Sequence, residues 1–268
     1  MRVALSNRAQ NPIGTPIAHE ATGVFYYPNP LMSTRTSTSF GRRAFELWDI
    51  HKVYCPYMKT FLHVGCGPKR KNQTTRAFNS PDWAELRLDI DPDVSPDIIG
   101  TMTDMGVVAS QSADAIFSSH NIEHLYPHEV PIALAEFKRV LNDDGFVVIT
   151  CPDLKSVCAL VAEDKLTEPA YTSPAGLISP LDILYGHRPA MAQGNLYMAH
   201  RCGFTQRVLD GTLRAAGFVT VATMARGAPY FDLWAAASVN TRTEAAMQSL
   251  AAEHFPINPP VKKEAEHV

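Results

Sequence analysis

The feature that most constrains this chain is a short run with no polar face, Phe146-Val147-Val148-Ile149-Thr150, set directly after a helix pattern and a turn. A strand that is apolar on both sides must be covered on both sides, which is the situation in a parallel sheet flanked by helices. Phe61-Leu62-His63-Val64 is a second such run, and it enters a tight loop, Gly65-Cys66-Gly67-Pro68. Glu85 to Ile90, Asp97 to Gly100 and Ala113 to Ser118 read as further strands. Between them, Val130, Leu134, Phe137 and Leu141 recur at helical spacing over 128–141, with Pro131 tolerated in the first turn. Strands alternating with helices predict an α/β domain with a parallel sheet. Later, Thr205 is placed to N-cap a helix that runs to Ala216 and stops at Gly217. The segments 219–225 and 231–239 then form an antiparallel hairpin.

These patterns divide the chain. Residues 1–40 are rich in Pro, Ser, Thr and Asn and read as an irregular arm. Residues 41–239 are the folded domain, opening with a short helix over 41–59 that carries Phe45, Leu47, Trp48 and Val53. Within it, 154–204 is an insertion with a helix at 155–164 and a proline-rich remainder. Residues 240–268 hold a short Ala-rich helix and a fraying tail. With 24 Lys+Arg against 27 Asp+Glu, there is no basic surplus of the kind phosphate binding needs, so no nucleic acid is expected. No run approaches the ~18 apolar residues of a membrane helix. The N-terminal apolar stretch is too short for a secretory signal, so a cytoplasmic location is expected. The five cysteines form no CxxC pair, which signals neither a zinc ribbon nor a redox dithiol.

The glycine loop narrows the ligand. A dinucleotide fingerprint needs a third glycine, and Arg70 occupies that position; a P-loop needs Gly-Lys-Ser/Thr, which is absent. A ligand without phosphate suits the loop better. Asp89, at the end of the second strand, is placed to accept both hydroxyl hydrogens of a ribose, with Asp91 as a competitor on the same side. Thr103-Asp104-Met105 follows the third strand and suits an adenine edge. A phosphate-free nucleoside beside a glycine loop suggests S-adenosylmethionine.

The ordered set of Val64-Gly65-Cys66-Gly67-Pro68, Leu88-Asp89-Ile90-Asp91-Pro92, Asp104-Met105, Ala113 to Ile116, His120-Asn121-Ile122-Glu123-His124-Leu125 and Gly145 to Ile149 resembles the class I S-adenosylmethionine-dependent methyltransferases. The resemblance implies a Rossmann-like, seven-stranded, mostly parallel sheet with an antiparallel terminal strand in a three-layer sandwich. It implies that Gly65 and Gly67 border the methionine part of the cofactor, Asp89 holds the ribose, Ile90 packs on adenine, and Asp104 and Met105 sit at its edge. Ser118 and His120 follow the fourth strand, where the family places cofactor and acceptor. One departure is visible: 69–84 is polar, with no amphipathic helix where the family has its first.

Methyl transfer is a direct displacement, so the protein mainly aligns its reactants, and a base is needed only where the acceptor loses a proton. His120 is one candidate base or acceptor-orienting group; on a helix it would share a face with His124 and suit a metal, and otherwise both are turn and capping residues, with Glu123 and His124 bracing the strand-to-helix connection. No metal is expected. Asp153 either contacts the acceptor or caps a helix. His187, Tyr197, His200 and Arg201 lie in the insertion, read as an acceptor lid or pocket wall, with His200 a second catalytic candidate. A packed insertion with solvated charges is the alternative. The expected acceptor is a small molecule or glycan. A non-catalytic adenosyl-binding scaffold and other chemistry on the same cofactor are the competing functions.

Overall fold

The structure, a computed structural model, describes residues 58–257. The arm, the expected helix up to residue 57 and the tail beyond residue 257 lie outside the described residues. In chain order the first half contains β1 (Lys59–Val64), β2 (Trp83–Asp89), β3 (Ile98–Ile99), β4 (Ala113–Ser119), α1 (Val130–Val140) and β5 (Leu141–Pro152). The insertion supplies α2 (Leu154–Ala162), a small hairpin of β6 (Tyr171–Ser173) and β7 (Gly176–Ile178), α3 (Pro180–Tyr185) and α4 (Arg188–Ala192). The chain then forms α5 (Gln206–Ala215), β8 (Thr220–Arg226), β9 (Asp232–Ser238) and α6 (Glu244–His254).

Seven strands pair in the order β3-β2-β1-β4-β5-β9-β8, and β9 alone runs against its neighbours. The antiparallel strand is therefore last in sequence but not at the sheet edge. From β1 the chain winds outward to β2 and β3, then returns to place β4 and β5 on the other side. The order reverses between β1 and β4, and a crevice opens at the carboxyl ends of strands flanking such a reversal. Both the Gly65 loop and the His120 turn leave the sheet there.

Alternation along the strands separates two cores. Leu62, Val64, Ile116, Val147 and Ile149 pack with Leu134 and Phe137 of α1 and with Leu209 and Leu213 of α5. Phe61, Ala115, Phe117, Phe146 and Val148 pack with Phe78 and with Met247 and Leu250 of α6. Strand β5 takes in Asn142–Gly145, which reads as a helix stop in sequence. Its pairing jumps there from Ala113↔Leu141 to Ala115↔Phe146, so these four residues are the irregular part of an extended segment.

Between β1 and β2 the described chain holds one 3-10 turn, Lys71–Gln73, and no α-helix, as the polar sequence suggests. Buried polar links replace the missing helix. The Lys71 amide donates to Glu85 Oε2 at 2.9 Å, and Glu85 Oε1 pairs with His63 Nδ1 at 2.7 Å. Phe78 fills the space against the sheet, stacked on Phe61 at 4.3 Å. The insertion is not irregular either. Val157, Ile178, Ile183 and Phe231 make a small core of its own. Arg188 beside Asp182 holds that carboxyl well below the usual range.

His254, at the end of α6, is buried between Phe78 and Phe146 and meets Thr75 Oγ1 at 2.8 Å. Burial pushes its imidazole from 6.5 down to about 4. Between these values the unfolded chain binds more protons than the folded one, so stability is full above about pH 6.5 and is lost as pH falls toward 4. The loss is on the order of 3 kcal/mol. Urea unfolding followed by circular dichroism should show the midpoint falling across this window, and His254→Gln should remove that part of the fall.

Candidate active site

The loop after β1 is shaped by what has no room to exist there. Gly65 sits at φ +62°, and a Cβ added to it would lie 2.2 Å from Asn121 Oδ1. Only glycine combines that backbone with that approach. Asn121 is itself anchored, its Nδ2 donating to the carbonyls of Val64 at 3.0 Å and Ser119 at 3.1 Å. The ends of β1 and β4 are thereby locked together.

Asp89 is buried at the end of β2. Its Oδ2 accepts from the Gly67 amide at 2.7 Å and its Oδ1 from the Asp91 amide at 2.9 Å. A carboxylate offers about four acceptor sites, so two are used to aim the group and two remain for a ligand. Asp91 has the other role: its Oδ1 caps the Pro92–Val94 turn by accepting from the Asp93 amide. Arg87, fully buried, donates to the carbonyls of Gly67, Lys69, Val94 and Ser95 and ties the glycine loop to that turn.

Around these groups lies a cavity of about 420 Å³, a volume suited to a small ligand. Gly65, Gly67, Asp89, Ile90, His120, Tyr197 and Arg201 all line it, as do Thr101, Met102, Thr103 and His124. Ile90 is 43% exposed, an apolar side chain left uncovered on the wall. A smaller cavity of about 160 Å³ adjoins it, lined by Glu123, Tyr171, His187, His200, Tyr230 and Phe231 among others. His120, His124 and Met198 belong to both walls.

Four expected contacts stand outside both walls. Met105 is fully buried in the core, where its apolar side chain is better placed, and its amide donates to Glu136 Oε2 at 2.8 Å. Asp104 is exposed and accepts from the Gly106 amide within its turn. Thr101, Met102 and Thr103, just upstream, take the wall position instead. Ser118 is buried under Asn121. Asp153 caps α2, accepting from the amides of Lys155 and Ser156. Tyr197 and Arg201, expected with the acceptor, line the larger cavity.

The turn after β4 is the densest part of the site. His120 takes φ +56°, an uncommon backbone for a side chain of its size, and its amide donates to Thr150 O. It is followed by a 3-10 turn, Ile122–His124, not a helix long enough to align His120 with His124. The returning insertion clamps this turn: the amides of Arg201 and Cys202 donate to Glu123 O, and Arg201 Nη1 donates to His124 O. Glu123 is fully buried, and burial pushes its carboxyl upward. The neighbouring His120, with His124 and His200, outweighs that and holds it below the usual range. Burial pushes His200 down from the usual imidazole range. Burial likewise raises the Cys66 and Cys202 thiols to about 11, which makes them unreactive.

Residues 62–149 match the model of a family described as a methyltransferase domain. No curated protein matches the sequence. Among solved structures, the chain is similar to the 1,6-didemethyltoxoflavin-N1-methyltransferase of Burkholderia thailandensis, solved with 1,6-didemethyltoxoflavin and S-adenosylhomocysteine bound. That pair has 14% identity and a TM-score of 0.43, covering 76% of this chain and 80% of the other. It is also similar to a SAM-dependent methyltransferase from Archaeoglobus fulgidus, at 13% identity and a TM-score of 0.46, covering 72% and 93%.

Gly65→Ala should destabilise the protein by about 1–3 kcal/mol through the strained backbone and the clash. A double-mutant cycle with Asn121→Ala, read by urea unfolding, should show a smaller cost in that background, because the clash is gone and the strain remains.

Proposed function

We propose that this chain, whose residues 62–149 match the model of a methyltransferase domain, is a class I S-adenosylmethionine-dependent methyltransferase and that it methylates a small molecule or glycan seated in the cavity under the insertion. The observation that carries this reading is the meeting of the two cavities at His120, His124 and Met198. One cavity is suited to the cofactor, and the other opens beside it under a folded cover.

The residues of the larger cavity fit S-adenosylmethionine. Gly65 and Gly67 let backbone come close, with open space where a Cβ of Gly67 would be. Asp89 keeps acceptor capacity for two ribose hydroxyls, and Ile90 offers an apolar wall for adenine. Arg201 stands where a carboxylate can pair with it. Among the described residues, no cluster of cations is gathered there for a pyrophosphate, in keeping with Arg70 in place of a third glycine. When bound, the cofactor supplies an activated methyl group on a sulfonium.

The chain's own residues then position and cover. His120, held at the junction by its backbone, accepts a hydrogen bond from an acceptor hydroxyl or amine and takes its proton where one must leave. His187, Tyr171, Tyr230 and Phe231 enclose the acceptor with two aromatic hydroxyls and largely apolar faces. The insertion, anchored on Glu123 and His124, keeps water from this space.

Asp89→Asn preserves the shape of the group and removes its charge. Hydrogen bonds to charged groups contribute about 1.5–3 kcal/mol each, so affinity for S-adenosylhomocysteine should fall by about tenfold or more. Titration calorimetry on wild type and variant measures it; equal affinities would move the ribose away from Asp89.

A further inference from the structure

The turn after β4 and the end of the insertion bring three ligand-type side chains to one point. Single ligand atoms of Glu123, His124 and His200 all lie within 4.8 Å of one another. Glu123 is 1% exposed, and neither of its carboxylate oxygens has a hydrogen-bond partner among the described residues. A carboxylate buried in that state is costly unless a cation compensates it. His120 Nδ1 approaches Glu123 Oε1 at 3.3 Å, but without hydrogen-bond alignment and from a half-exposed position.

The two other histidines are already set for ligation. His124 Nδ1 lies 3.1 Å from the Ala199 carbonyl oxygen, and His200 Nδ1 lies 2.7 Å from that of Ile183. A carbonyl oxygen only accepts, so in each ring Nδ1 bears the hydrogen and Nε2 keeps its lone pair. A histidine that donates one ring N–H to a backbone carbonyl and offers the other nitrogen is held as metal-ligating histidines are. The rings face each other edge to face at 4.8 Å between centroids, with no hydrogen bond between them.

We propose that Glu123, His124 and His200 hold a divalent transition-metal ion, with His120 beside it. Two imidazoles and a carboxylate suit Zn²⁺, Mn²⁺, Fe²⁺ or Co²⁺ better than the all-oxygen shells that Ca²⁺ and Mg²⁺ prefer. All three ligands line the smaller cavity, and His124 lines the larger one too. An ion there has its open positions toward the acceptor. This gives the acceptor a chemical class: it carries an oxygen or nitrogen donor able to bind the ion. That last step rests on the acceptor reading above; the metal site does not. No metal is expected from the sequence, where only His120 and His124 stand at a spacing that could suit one. The third ligand, His200, comes from a segment far along the chain.

The test uses the full-length, untagged chain, stripped with a chelator and titrated with Zn²⁺, Mn²⁺ and Co²⁺ by calorimetry. The expected result is saturable binding of one ion per chain. Glu123→Gln, His124→Ala and His200→Ala should each weaken it by about tenfold or more, while His128→Ala, on the exposed surface, leaves it unchanged. Bound Co²⁺ should give a visible ligand-field spectrum that His200→Ala alters. Should Glu123→Gln fail to fold, the two histidine variants decide the matter. No saturable binding, or an affinity indifferent to the substitutions, overturns the proposal. S-adenosylhomocysteine titrated in parallel keeps the two readings apart, since its loss of binding in wild type would overturn the cofactor reading and leave the metal result standing.

Discussion

A single buried guanidinium holds the ligand edge of this sheet together. Arg87 lies within β2, is fully enclosed, and donates to four backbone carbonyls from two loops. Its backbone amide in turn donates to Asp97 at 2.8 Å, which fastens the approach to β3. A buried charge is tolerated only when its hydrogen-bonding capacity is met. Here the acceptors that meet it are carbonyls of the glycine loop and of the Pro92–Val94 turn. The glycine loop, the Pro92 turn and the Asp89 carboxylate between them therefore depend on one side chain.

The other half of the site rests on the opposite arrangement. Glu123 is buried with its carboxylate oxygens unmatched by hydrogen-bond donors, while its backbone carbonyl is gripped by two amides of the insertion. The grip makes the insertion part of the β4 turn rather than a loop lying over it. Gly186 shows how closely two stretches of that insertion approach: at φ +99°, an added Cβ would lie 1.9 Å from Met198 O. The same stretch supplies Met198 and His200 to the wall of the smaller cavity.

Most of the fold was legible because burial on both faces leaves a local mark. The runs at Phe61 and Phe146, the helical spacing of Val130, Leu134 and Phe137, and the Thr205 cap all survive in the structure. The missing first helix was legible too, from the polar composition of 69–84. The buried tie from the glycine loop to the Pro92–Val94 turn was not, because Arg87 looks like an ordinary outward residue in an alternating strand. Of the expected cofactor contacts, Gly65, Gly67, Asp89 and Ile90 line the larger cavity, since a loop and a strand end place them locally. Met105 and Asp104 lie off both cavity walls, a few residues beyond the Thr101–Thr103 stretch that lines the larger one, as a two-residue strand gives little register. Asn121 and Met198 carry no role of their own in the sequence, and Glu123 reads there only as a brace of the turn with His124, for their contacts span long stretches of chain. An unmatched buried glutamate leaves no sequence pattern.

The central claim is that the crevice between β1 and β4 is the seat of the adenosyl cofactor. A crystal structure of the full chain with S-adenosylhomocysteine tests it most directly. The ribose hydroxyls are expected on Asp89, the adenine between Ile90 and the 101–103 segment, and the thioether sulfur near the His120 junction. Density for the ligand anywhere else, or a ribose that does not touch Asp89, would contradict it.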